Sequence, residues 1–303
     1  MKLLKQMCKI HSPSGEELAM SKFLLNYINK NQKKWKIKPT LHYGDGFQDN
    51  IIMVFGKNPR TAVFSHMDSI GFTVKYKNEI IKIGGPDTTK GIVLVGEDSI
   101  GKIEGKLAQK EDKLFIDFKR EIDRGTSLTF KVNFRETENF VQSCYMDNRL
   151  GIWSCLEVAK TLEEGIIVFS SWEEHNGGSV GYLGKFIHEK YAVNQALISD
   201  ITWITNGVKH GDGCVISIRD SGIPRRSYVN KIIDIAEKSN IPFQLEVEHS
   251  GGSDGNQLQI SPYPWDWCFV GAPEDHVHSP NEKVNKQDIS SMVKLYRELL
   301  KKL

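Results

Sequence analysis

The segment "FSSWEEHNGG" (Phe169–Gly178) sets two carboxylates, Glu173 and Glu174, side by side directly after the apolar run Ile166-Ile167-Val168. Like charges crowded at the edge of a core repel one another and cost free energy to desolvate. The pair therefore calls for a cation, or for proton chemistry. Four further segments offer matching residues. His66 and Asp68 close the run "TAVFSHMD", Asp147 lies in "YMDNRLG" just before a helix, Asp200 closes "QALISD", and His278 follows "DWCFVGAP" after a short acidic loop. Two imidazoles and several carboxylates suit a divalent ion with oxygen and nitrogen ligands, zinc or cobalt among them. There are more donors than one zinc needs and about the right number for two ions sharing a carboxylate. Such a pair activates a water and clamps both atoms of the bond being hydrolysed.

The spacing adds detail. His66 and Asp68 are two apart, which places them on one face of a strand. There the aspartate can accept the spare N–H of a metal-bound imidazole and fix its orientation. Adjacent Glu173 and Glu174 point to opposite sides, so one can bind metal while the other stands over the water as general base. Taken singly, Asp147 reads as a helix cap and a strand-end His or Asp as an ordinary hydrogen-bonded residue. The same residue types at one strand end after another are not explained that way. His175, His249 and His276 fall near the presumed site without a clear role.

The elements that must position these groups follow from periodicity. Helical and β-branched segments alternate from "SPSGEELAMSKFLLNYI" onward, where Ser14 and Glu17 have capping-box spacing. "NIIMVFG" and "TAVFSHM" read as strands. "NRLGIWSCLEVAKTLEEG" predicts a helix closed by Gly165. Strand "IIVFSSW", helix "VGYLGKFIHEKY", strands "QALISD" and "CVISIR", helix "RRSYVNKIIDIAEKSN", strands "FQLEVEH" and "DWCFVGA" and a final helix from about Lys286 follow. "GGSDGNQ" reads as a close-approach loop opening a helix. Between Gly71 and Val141 the texture changes to short alternating runs ("FTVKY", "IIKIG", "GIVLVG", "KLFIDF", "LTFKVNF") without a helix, which predicts a small β-barrel. The expected architecture is an α/β domain of residues 1–70 and 142–303, a mixed sheet sandwiched by helices, with a barrel domain of residues 71–141 inserted. In such sheets ligands bind at the carboxyl ends of the strands, where the site residues fall.

Composition sets the outer bounds. The 303 residues are 39% hydrophobic and 26% charged with a net charge of +2, which gives no reason to expect nucleic acid or a membrane as partner. No apolar run approaches a membrane span, and "MKLLKQMCKIHS" is too short in apolar residues for a signal peptide. Five scattered cysteines, none in a C-x-x-C pair, fit a reducing cytoplasm.

The motifs "SPSGEE", "SHMDSIGF", "MDNRLG", "WEEHNGGSVG", "GGSDG" and "HSPNE" together resemble those of the dinuclear metallo-aminopeptidases typified by bacterial glutamyl aminopeptidase and the archaeal tetrahedral aminopeptidases. The resemblance spans nearly the whole chain. It implies a zinc-peptidase-like fold, two divalent ions per subunit, peptide substrates and a homo-oligomer. His66, Asp147, Glu174, Asp200 and His278 match the family's metal ligands, with Asp147 as bridge. Glu173 matches the general base, and Asp68 the carboxylate that orients His66. Two features depart from the family pattern: residues inserted after Glu174, and Asp275-His276 where Arg-Tyr is usual. Side-chain preference is therefore not carried over. The rival expectations are a carboxypeptidase or N-acyl amino-acid deacylase of the same broad fold, and a non-catalytic binding protein that has kept it.

Overall fold

The computed structural model describes residues 1–303 as an α/β unit carrying a closed barrel. Four parallel strands form the centre of the large sheet. In spatial order they are Gly165–Ser170, Ala62–His66, Gln195–Trp203 and Asp266–Asp275. Gln48–Phe55 and Thr40–Gly44 extend one side antiparallel. On the other side, Cys214–Arg219 pairs antiparallel with Asp266–Asp275 and parallel with Phe243–Val247. The short strands Lys283–Asn285, Phe140–Gln142 and Arg135–Glu136 complete that edge.

Residue parity divides the sheet into two faces, as a period of two requires. Ile51, Met53, Val63, Ile167, Phe169 and Leu197 face one core, covered by Leu18–Asn31, Met146–Ala159, Arg226–Ser239 and Lys286–Lys302. Ile52, Val54, Phe64, Val168 and Ile198 face a smaller core, covered by Val180–Tyr191 and the helix Asp254–Gln259. Parallel strands buried on both faces read as continuous apolar runs, which is why "GIIVFS" is buried throughout.

Six strands close the barrel in the order Gly71–Val74, Glu79–Ile83, Lys113–Asp117, Gly101–Lys110, Val93–Asp98 and Ser127–Phe130. It is filled by Phe72, Ile80, Leu94, Ile103, Leu107, Ile116 and Phe130. Gly101–Lys110 has no counterpart in the sequence reading. Its inward residues Ile103, Gly105 and Leu107 alternate with lysines and a glutamate, and the central glycine blanks the pattern. A side chain at Gly105 would meet the Asp117 carbonyl at 2.6 Å.

Three local expectations are corrected. Ser14 and Glu17 form no capping box. The helix begins at Leu18 without a side-chain cap, because the Ser14 hydroxyl donates to Asp68 and Glu17 accepts from the backbone N–H groups of Gly15 and Trp172. The helix of residues 146–159 ends before the expected stop, and Gly165 instead opens the next strand at φ 148°. Asp200 does not end its strand, which runs on to Trp203 by pairing with residues up to Glu274.

Candidate metal centre

The parallel strands end at one edge, and the register fixes what stands there. Ser170 pairs with His66, and Asp200 lies two residues beyond the Ile198–Phe64 pair, level with His66. Asp147 comes from the first turn of the helix Met146–Ala159, where Asp147 and Asn148 leave helical dihedrals. Asn148 pins that corner: its amide donates to Ser65 Oγ (3.2 Å) and to the Ser199 carbonyl (2.8 Å), and its Oδ1 accepts from Gly151 N–H (2.9 Å). Arg149, fully buried, donates to the carbonyls of Met67 (2.5 Å) and Asp68 (2.9 Å) and so shapes the turn after His66.

All seven residues singled out in the sequence converge. His66 Nε2 lies 3.1 Å from Asp147 Oδ1, 3.5 Å from Asp200 Oδ2 and 3.8 Å from Glu173 Oε2. His278 Nε2 lies 3.3 Å from Asp147 Oδ2 and 3.2 Å from Glu174 Oε2. Asp147 thus turns one oxygen to each imidazole. His66, Asp147 and Glu174 each offer a ligand atom within 4.8 Å of the others. Behind them, Asp68 Oδ1 stands 3.4 Å from His66 Nδ1. Asp68 also accepts from Ser14 Oγ (2.6 Å), Glu173 N–H (3.1 Å) and Glu174 N–H (3.0 Å). One carboxylate therefore stands behind the imidazole and ties down the turn that carries both glutamates.

The charges in the cluster are unbalanced. No lysine or arginine side chain pairs with these carboxylates, so the imidazoles carry the compensation. Burial works against a charged His278, yet Glu174 and Asp147 push it up to about 12. Asp147 is held below the usual carboxylate range despite its burial, by His278 and His66. Burial, then Asp147, pushes Glu174 up to about 7, and burial pushes Asp200 up to about 6. Burial also raises Glu173 well above its ordinary value; His66 opposes this, while Asp200, Glu174 and Asp254 add to it. A cluster of oxygen and nitrogen donors whose carboxylates outnumber its imidazoles, with no lysine or arginine to balance them, fits divalent cations.

A second layer of buried acids escaped the sequence reading. Glu282 Oε2 accepts from Met146 N–H (2.6 Å), a carboxylate at the N-terminus of the helix that carries Asp147, where the helix dipole favours it. Asp254 accepts from Ser170 Oγ (2.5 Å). Glu17 accepts from Gly15 N–H (3.0 Å) and Trp172 N–H (3.1 Å), one residue before Glu173. Glu274 is buried without a partner for either oxygen. The motifs "SPSGEE", "GGSDG" and "HSPNE" contain Glu17, Asp254 and Glu282 but gave them no place in the site, and nothing marked Glu274. The insertion after Glu174 begins against the barrel: His175 Nδ1 accepts from Gly84 N–H (3.1 Å). Asp275 pairs with His210 (3.0 Å) and Lys283 (3.4 Å).

A sequence profile described as M42 glutamyl aminopeptidase matches residues 80–295. The lysyl aminopeptidase of Pyrococcus furiosus is 24% identical over 306 residues, covering 84% of this chain and 85% of its own. Among solved structures, a TET aminopeptidase from a marine sediment thaumarchaeon superposes with a TM-score of 0.86 at 18% identity, over 100% of this chain and 96% of that one. The TET1 peptidase of Pyrococcus horikoshii, described as assembling into a tetrahedron or a large octahedral shell, gives 0.81 at 23% identity over 98% of each chain.

Proposed function

This chain belongs to the M42 glutamyl aminopeptidase family and is a metal-dependent aminopeptidase, and from that premise we propose that it works with two divalent ions per subunit, zinc or cobalt. His66, Asp147, Glu174, Asp200 and His278 would hold them, with Asp147 shared. The observation that supports this most is the split of the donor contacts. His66 meets one oxygen of Asp147 and has Asp200 beside it, while His278 meets the other and has Glu174 beside it.

When bound there, the ions would lower the pKa of a coordinated water and polarise the scissile carbonyl. Glu173 is the general base. It reaches the cluster edge 3.8 Å from His66, and its backbone N–H, but no hydrogen bond to its carboxylate, is tied to Asp68. It takes a proton from the attacking water and delivers it to the leaving amine. Asp68 keeps His66 in the tautomer that presents Nε2 inward. The substrates are peptides with a free α-amine, which the cluster's carboxylates or an ion receive.

The shells described for the Pyrococcus horikoshii relative support a homo-oligomer. Five free, buried cysteines support a reducing, cytoplasmic setting. No helix is long and apolar enough to cross a membrane.

The test is a panel of free-amine aminoacyl substrates beside N-acetylated ones, given to chelated protein with zinc, cobalt or manganese restored. Turnover of free-amine substrates that depends on metal is expected. Release of acetate from the blocked substrates alone would assign a deacylase instead, and full activity under chelation would remove the metal from the reaction.

A further inference from the structure

Resting on that reading of the site, we propose that the cavity beside the metal cluster selects peptides whose N-terminal residue is lysine or arginine, through Asp220, Glu246 and Glu248. One cavity of about 280 Å³ is lined both by the cluster residues Asp147, Glu173, Glu174, Asp200 and His278 and by these three further acids. A peptide held with its first carbonyl at the cluster therefore shares that space with them.

No lysine or arginine lines the cavity, and none of the three acids takes part in an ion pair. Asp220 is 8% exposed and Glu246 4% exposed, so neither is a solvated surface group. Asp220 Oδ1 accepts from Gly222 N–H (2.6 Å), and its Oδ2 meets no protein donor. Glu246 has the Thr202 hydroxyl. The Glu248 carboxylate has no donor. Burial raises the carboxyls of Asp220 and Glu246 above their ordinary values, the mark of acids short of a counter-charge. The cluster's own carboxylates have the ions to offset them. None of these three has an ion-pair partner in the chain; Arg219 opposes the rise at Asp220, but its Nε donates to the Asp220 backbone carbonyl and not to the carboxylate, and the missing charge fits a ligand cation.

The remaining walls fit the stem of such a side chain. Ile201, Trp203, Phe269 and Val277 are the apolar lining. A lysine or arginine lays its methylenes on apolar surface and keeps its charged head on polar partners. A glutamate in the same place would face three like charges.

The test compares Lys-, Arg-, Leu- and Glu-p-nitroanilides on the metal-loaded full chain. Lysine and arginine should exceed leucine in kcat/KM by about tenfold or more, and glutamate by about a hundredfold, as expected for a charge-assisted contact set against like-charge repulsion. Glu248→Gln and Asp220→Asn should each lower the Lys-to-Leu ratio about tenfold, mainly through KM. Glu248 is only half-buried, so its variant keeps the comparison open if the buried Asp220→Asn folds poorly. A wild-type preference for leucine or glutamate would overturn the inference and leave the aminopeptidase reading standing. An equal loss on all four substrates in the variants would also overturn it, because it would mean that the acids bind the α-amine. Absence of turnover on every free-amine substrate would overturn the reading on which the inference rests.

Discussion

Glu173 and Glu174 are neighbours in sequence with different surroundings, and the difference fits the separate roles proposed for them. Glu174 binds Ile70 N–H (3.2 Å) and meets His278 (3.2 Å). The Glu173 carboxylate receives no hydrogen bond, as suits the general base proposed. Glu173→Gln keeps its size and removes its basicity, so kcat should fall about 10²–10⁴-fold while metal content stays at the wild-type level; turnover and elemental analysis of the same sample check this. Asp68→Asn removes the acceptor behind His66 and weakens the turn before Glu173. Metal affinity should drop about 10–100-fold, read by chelator competition. Glu17 supplies a pH signature. Burial, then Asp68, lifts its carboxyl from 4.5 to about 7. The folded state then holds a proton that the unfolded chain releases, so this residue's contribution to stability declines as pH rises from about 4.5 to about 7. Glu17→Gln should flatten that interval in denaturant titrations against wild type, and an unchanged difference across it would count against a buried, proton-holding Glu17.

The elements deliver these residues through close approach. A side chain at Gly151 would come within 2.2 Å of Asn148 Oδ1 and of the Ser199 carbonyl, so the helix bearing Asp147 lies flush on the strand bearing Asp200 only because position 151 has no Cβ. Gly151→Ala should cost about 1–3 kcal/mol in chemical denaturation and weaken metal binding with it; an alanine variant of wild-type stability would show that this packing is loose. The central strands were legible in the sequence because parallel strands buried on both faces are unbroken apolar runs, and their polar ends stand out. "QALISD" was cut short because Ile201-Thr202-Trp203 owes its strand geometry to pairing with Ala272–Glu274, a contact remote in sequence. The capping box failed for a related reason. Ser14 and Glu17 have the spacing, but Asp68 and Trp172 claim their side chains from 54 and 155 residues away. Glu282 stood in "HSPNE" and Glu274 in the acidic loop before His278 without a role for either, since nothing local marks a carboxylate as buried.

On the scale of the whole molecule, the cluster draws on segments from Ser14 to His278, so an ion bound there ties distant parts of the chain together. Segment 84–87 of the barrel leans on the same place: Asp87 N–H donates to the His278 carbonyl (2.8 Å) and Gly84 N–H to His175 (3.1 Å). Binding that favours the folded state adds stability by mass action, about 4 kcal/mol for each site at a thousandfold excess over Kd. Chelation should lower Tm and restored zinc or cobalt should raise it, as scanning calorimetry would show; an unmoved Tm would mean that the acids hold together without a cation. The central claim, two ions sharing Asp147, is tested most directly by titrating zinc or cobalt into chelated protein while following bound metal and turnover of an aminoacyl substrate together. Activity should reach its plateau at two ions per chain. A plateau at one ion, or full activity with none bound, would contradict the shared two-metal centre.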